Sequence, residues 1–178
     1  KYSIVMPVYK RLDVINLSIK SVLKQSLKPS QLIFVDNNTC SFEINSLKNY
    51  INSLREITDL SIFYIKSPKN SGALARNIGT KFVTSELVAF LDSDVVLDAD
   101  YYEKLINYFE KDNELIAIQG IDRSLLDEKN YKYTERIFHK LIYFFEQFFE
   151  TSLLFNKKQS YVSPALAVAH PNFKSDFE

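Results

Sequence analysis

One cysteine, Cys40, leaves no partner for a disulfide within this chain of 178 residues, so the sequence fits a reducing, cytoplasmic setting. Neither sign of charge is in excess. Lys plus Arg and Asp plus Glu both number 22, which excludes a general attraction to nucleic acid or anionic lipid. A charged ligand must then be held by a local site. Long apolar runs are missing too, since no segment reaches the roughly 18 uninterrupted apolar residues of a membrane span. Lys1 leads straight into a strand pattern without a signal peptide, and the missing initiator Met reads as a fragment of a longer protein. Glycine is scarce, with three residues, and none of them builds a P-loop or a Gly-x-Gly-x-x-Gly turn. Kinase and dinucleotide oxidoreductase classes are thereby excluded. What remains is a chain with 46% hydrophobic residues, enough for the core of one domain.

Apolar residues alternate between short runs and helical spacing, the pattern of repeated βα units. Five strands are expected, over residues 3–8, 31–36, 61–65, 87–91 and 115–119. Between them Leu12, Ile15, Ile19 and Val22 step by three and four, as do Ile44, Leu47, Ile51 and Leu54. Each set makes one buried helical stripe. Tyr102, Leu105, Ile106 and Phe109 repeat the spacing, with Asp98 placed as the N-cap. The expected fold class is therefore α/β: a mostly parallel sheet with helices on both faces.

The fourth strand ends on Asp92-Ser93-Asp94. In open α/β sheets the ligand crevice lies at the carboxyl ends of the strands, so both carboxylates stand where a substrate would bind. Two oxygen ligands on one turn suit Mg²⁺ or Mn²⁺ better than zinc, which favours His and Cys. Taken alone, Asp-Ser-Asp is also an ordinary turn sequence, with Asp94 able to cap the next helix. Other strand ends carry unusual residues as well: Pro7-Val8-Tyr9 after the first and Asp36-Asn37-Asn38 after the second. After the third, Asn70-Ser71-Gly72 opens a helix containing Arg76, and such a helix start offers backbone N–H groups to an anion. Arg76 adds a forked, permanently charged donor. Singly, Gly72 is a turn glycine, Arg76 a solvated helix residue and Asp36 an Asx turn. Their coincidence at one edge points to a site.

The tail differs. Over residues 131–155, Arg136, Lys140, Gln147 and Glu150 share a polar stripe opposite Phe138, Phe144, Phe145 and Phe148. An amphipathic helix is expected, with its aromatic face against protein, because acids and bases mix on the polar side. Peripheral membrane association and a homo-oligomer are the other uses of such a face. His139 reads as a surface histidine and His170, before Pro171, as a loop residue.

The segments "SIVMPVYKRLDVINLSIKSVLKQS", "LIFVDNN", "NSGALARNIG" and "FLDSDVV" together resemble the family 2 glycosyltransferases of the GT-A fold, in that family's order and at about its spacings. The likeness covers roughly residues 2 to 120. It implies an inverting transferase that uses a nucleotide-sugar donor, expected to be a UDP-sugar, with Mn²⁺ or Mg²⁺. It places Asp36 on the nucleotide base, Pro7, Val8 and Tyr9 beside the nucleoside, and Asn70, Gly72, Arg76 and Ser93 against the donor. Asp92 then meets the ribose and Asp94 the metal. The family's general base lies in an acidic pair expected beyond Glu178, with Asp176 and Glu178 the candidates inside the chain. Ser163-Pro164 departs from the Ser-Gly common in relatives, which alters that loop.

The resemblance divides the chain into a donor-binding region, 1–120, and an acceptor-side region, 121–178. It implies a carbohydrate or glycolipid acceptor, in polysaccharide or glycoconjugate synthesis, and a place in the cytoplasm at the inner face of the membrane. A sugar-1-phosphate nucleotidyltransferase shares the layout but needs a glycine-rich loop after strand one, where this chain has "PVYKRLD". A donor-binding domain without catalysis is the remaining alternative.

Overall fold

The computed structural model describes residues 1–112 and 115–120. Four parallel strands, β1 (Tyr2–Val8), β2 (Gln31–Asp36), β3 (Ser61–Lys66) and β4 (Leu87–Phe90), form a sheet in the order β3-β2-β1-β4. Parallel neighbours need crossovers, and the helices α1 (Leu12–Leu23), α2 (Ser41–Ile57) and α3 (Gly72–Thr80) supply them. A fourth helix, α4 (Tyr101–Lys111), follows β4. The chain steps outward from β1 to β3 and returns to place β4 on the other side of β1. That reversal opens a crevice between the loops that follow β1 and β4.

β2 is buried along its whole length, which is why it reads as a continuous apolar run rather than an alternating one. Successive side chains feed two cores. Ile4, Met6, Leu32 and Phe34 meet Ile15 and Ile19 of α1, Leu47 and Ile51 of α2, and Tyr102 and Leu105 of α4. Val5, Ile33, Val35 and Val88 face α3 through Ala75 on the opposite side. Each fully buried side chain of this size contributes roughly 1.5–3 kcal/mol, so this layering holds the strand ends in a fixed array.

Three expectations fail in detail. Residues 115–119 form no strand; Ile118 instead packs against the first core, and the Gly120 N–H donates to Tyr101 Oη at 3.1 Å. A strand requires a ladder partner, and among the described residues this half-buried run has none. The cap of α4 is Asp100, not Asp98, whose backbone oxygen accepts the Tyr101 N–H at 3.1 Å. Asp94 lies six residues before that cap and does not serve the helix. The amphipathic helix expected over 131–155, together with His139, Pro164, His170, Asp176 and Glu178, lies outside the described residues.

Candidate functional site

Because all four strands run the same way, the segments after β1, β2 and β4 and the start of α3 gather at one edge of the sheet. Pro7 and Val8 are the last residues of β1, with Val8 buried. Tyr9 stands exposed just past them, with Lys10 Nζ 5.3 Å from its ring centre. Asp36 ends β2 and is fully buried. Both its oxygens are engaged: Oδ1 accepts the Asn38 N–H at 2.8 Å and Oδ2 the Tyr64 hydroxyl at 2.6 Å. Burial first, and then the Asp36 bond and charge, push the Tyr64 phenol well above its ordinary value.

Asn70 is exposed, and Ser71 caps α3 by accepting the Leu74 N–H at 3.3 Å. Gly72 comes next. A Cβ on Gly72 would lie 3.3 Å from Arg76 Nη1, so the glycine leaves room for the guanidinium to fold back over the helix start. From there Arg76 Nη2 donates to Asp92 Oδ1 at 2.8 Å. Ser93, between the two acids, is buried. Asp94 projects outward and pairs with the guanidinium of Arg11.

The structure thus joins Gly72, Arg76 and Asp92 directly. Asp36 stands farther along the edge, in its own network with Tyr64 and Lys66, whose Nζ donates to the Asp36 carbonyl at 3.0 Å. Two participants escape sequence reasoning. Tyr64 reaches Asp36 from the neighbouring strand, and no local spacing reveals it. Arg11 reaches Asp94 because Lys10 and Arg11 both adopt left-handed backbone, at φ 57° and 52°. Such geometry is uncommon outside glycine and asparagine, and Lys-Arg gives no sign of it.

Buried polar atoms divide the two ends of the sheet. At the amino end, Gln31 Oε1 accepts from Ser3 Oγ at 2.6 Å and from the Thr84 N–H at 2.9 Å, closing a satisfied network. Among the described residues six buried side-chain polar atoms have no protein partner; two of them, Asn37 Oδ1 and Asn38 Nδ2, belong to the segment after β2, and a third, Arg76 Nε, to α3. Buried polar groups normally find partners, in protein or in ordered water, and these three unsatisfied atoms lie beside the strand ends rather than at the amino end.

The two acids also fit a hard divalent cation. Their side chains are 45% and 41% exposed and each already holds a cationic group. No group of three or more His, Cys, Asp or Glu stands together among the described residues. Further ligands would come from water and substrate oxygens, the habit of Mg²⁺ and Mn²⁺. Among the described residues no helix is long and apolar enough to cross a membrane.

Comparison with known proteins agrees with this geometry. The model of glycosyl transferase family 2 matches residues 3–168. An uncharacterised glycosyltransferase of Haemophilus influenzae is 34% identical over 119 residues, 66% of this chain and 45% of the relative. The poly(ribitol-phosphate) beta-N-acetylglucosaminyltransferase TarP of Staphylococcus aureus is 32% identical over 124 residues, covering 66% of this chain and 36% of that one. The chain spans less than half the length of these curated relatives. In three dimensions, S. aureus TarS 1-349 in complex with UDP-GlcNAc superposes with a TM-score of 0.54 at 20% identity, over 71% of this chain and 38% of that one. The mannosyltransferase PcManGT of Pyrobaculum calidifontis, with GDP-Man and Mn²⁺, gives 0.59 at 16%, over 68% and 35%. Those likenesses establish the GT-A fold. With the family model spanning nearly the whole sequence, the chain belongs to glycosyl transferase family 2.

Proposed function

We propose that the strand-end crevice binds a nucleoside diphosphate sugar, a UDP-sugar in particular, and that the protein transfers the sugar with inversion to a hydroxyl of a carbohydrate or glycolipid acceptor. The observation that carries this reading is the pairing of both Asp92 and Asp94 with arginines at the edge where all four strands end. A nucleotide diphosphate and a divalent cation bring the same two kinds of charge to that edge. TarS with UDP-GlcNAc and PcManGT with GDP-Man and Mn²⁺ share the fold, which supports the donor class and the use of a metal. TarP, named as a poly(ribitol-phosphate) beta-N-acetylglucosaminyltransferase, supports transfer of a sugar to a polymer acceptor.

In this reading residues 1–120 form the donor half and 121–178 the acceptor side. Asp36 receives the base, while Pro7, Val8 and Tyr9 border the nucleoside. Asn70, Gly72, Arg76 and Ser93 lie against the donor phosphates and ribose. Asp94, with Asp92, holds Mn²⁺ or Mg²⁺, which supplies Lewis acidity against the charge that grows on the departing diphosphate. Arg76 adds a fixed guanidinium beside the same oxygens, held ready by Asp92 and therefore needing little reorganisation. A carboxylate takes the proton of the attacking hydroxyl. The setting that goes with this reading is the cytoplasm, at the inner face of the membrane.

A screen of nucleotide sugars by thermal shift, with and without Mn²⁺, tests the proposal. A ligand at 100 times its dissociation constant stabilises the fold by about 2.7 kcal/mol, which a melting curve resolves. UDP-sugars should raise the melting temperature only when metal is present. A flat response across the panel would contradict the assignment.

A further inference from the structure

Arg11 and Asp94 are 83 residues apart in sequence and meet across the point where the strand order reverses, β1 lying beside β4. Arg11 occupies the N-cap position of α1 but makes no side-chain cap bond. Its guanidinium goes to Asp94 instead, while Arg76 takes Asp92. Two carboxylates are therefore matched by two guanidinium groups, and this cluster of four side chains is neutral.

That neutrality has a consequence for ligand order. A bare divalent cation gains little by approaching a neutral cluster, because Arg11 already stands on the carboxylate that would receive it. A nucleotide sugar brings two negative charges on its diphosphate. Cation and diphosphate arriving together leave the site neutral again, provided that one arginine can move from carboxylate to phosphate.

Arg11 is the one placed to move. Its side chain is 65% exposed, against 16% for Arg76, and an exposed ion pair is a weak restraint. Its backbone is held even so. The Lys10 N–H donates to Asn38 Oδ1 at 2.5 Å and the Asn37 N–H to the Val8 carbonyl at 2.8 Å, which fixes the left-handed turn of Lys10 and Arg11 against the next strand end. A fixed backbone with a loosely held guanidinium lets the side chain exchange partners without refolding the loop. Arginine suits the second partner because its planar fork matches phosphate oxygens.

We propose that Arg11 is a positioning residue for the donor diphosphate: without donor its guanidinium takes the cation's place on Asp94, and on joint binding of cation and donor it shifts to the diphosphate oxygens. The inference rests on the donor-binding reading above. It makes Arg11 a gate against metal alone and an aid to metal with nucleotide.

The test titrates Mn²⁺ alone by electron paramagnetic resonance, and UDP at saturating Mn²⁺ by calorimetry, into wild type, Arg11→Ala, Arg11→Lys and the control Lys104→Ala. Lys104 pairs with Asp100 on the surface of α4, so the control removes an equivalent charge away from the crevice. Arg11→Ala should bind Mn²⁺ alone about two- to five-fold tighter, the range that one exposed ion pair corresponds to. The same variant should bind UDP with Mn²⁺ several-fold more weakly. Arg11→Lys should fall between, keeping the charge without the fork, and Lys104→Ala should match wild type. Unchanged Mn²⁺ affinity in Arg11→Ala overturns the proposal, and so does tighter Mn²⁺ with undiminished UDP affinity. Should the alanine variant fold poorly, Arg11→Lys decides alone, since wild-type values in both titrations would refute a role for the fork. Wild type that binds no UDP with Mn²⁺ would refute the donor reading itself and this inference with it.

Discussion

Tyr64 donates its hydroxyl to Oδ2 of Asp36 at 2.6 Å, binding the edge strand β3 to the end of β2 at the only fully buried carboxylate among the described residues. A buried carboxylate is tolerated when its oxygens are hydrogen-bonded, and here Tyr64 and the Asn38 N–H each bond one of them, using two of its roughly four acceptor sites. Tyr64→Phe leaves one oxygen without its donor and should lower stability by about 1–3 kcal/mol. Urea denaturation reads this directly; a loss within a few tenths would show that Tyr64 is incidental to Asp36.

Replacing Asp36 itself touches both stability and binding, because it leaves the Tyr64 hydroxyl and the Asn38 N–H without their acceptor, so binding is read on the variant that is still folded. Loss of a charged hydrogen bond to a ligand costs about 1.5–3 kcal/mol, so Asp36→Ala should weaken UDP binding by about ten-fold or more. Calorimetry on folded variant giving the wild-type affinity would remove Asp36 from the nucleoside site.

The phenols of Tyr2, Tyr64 and Tyr102 are all pushed above their ordinary value of 10.0, chiefly by burial. A raised value means that the folded chain holds these protons more tightly than the unfolded chain does. Their contribution is therefore intact below pH 10.0, where both states are protonated, and is lost as pH climbs through and beyond that value. The urea midpoint should be flat up to about pH 9 and fall steeply above about pH 10, with tyrosinate absorbance appearing as the fold is lost. A midpoint constant to about pH 12 would contradict this.

Gly79 allows α3 to sit directly on the sheet. A Cβ there would fall 2.3 Å from Val5 Cγ1 and 3.1 Å from Val35 Cγ2, both fully buried branched residues that cannot swing aside. Alanine gains about 1 kcal/mol of helix propensity over glycine, while overpacking costs about 1–3 kcal/mol, so the clash wins. Gly79→Ala should be destabilised, by up to about 2 kcal/mol in chemical denaturation. A stabilised variant would show that α3 stands off the sheet.

The layers of this fold were legible where burial leaves a period in the sequence. The β2 bounds match expectation at both ends because all six residues are buried, and Ile15, Ile19, Leu47, Ile51, Leu105 and Ile106 lie on the faces that their spacing marks. Leu91 is a boundary case: it lies outside β4, yet its N–H still donates to the Val5 carbonyl at 3.1 Å. Residues 115–119 misled because apolar content cannot show whether a ladder partner exists. At the site, the strand-end acids were legible from position alone. Their counter-charges were not, since Arg11 comes from an unusual backbone turn and Tyr64 from a neighbouring strand, and neither leaves a local pattern.

The central claim is that Asp94 links a divalent cation to a nucleotide at the end of β4. Asp94 is partly exposed, so Asp94→Asn should melt at the temperature of wild type and isolate binding from folding. Calorimetric titration of UDP, with and without Mn²⁺, into both proteins is the direct measurement. Wild type should bind UDP far more tightly with Mn²⁺ than without it, and Asp94→Asn should lose that difference. An Asp94→Asn protein that binds UDP with undiminished dependence on Mn²⁺ would contradict the account.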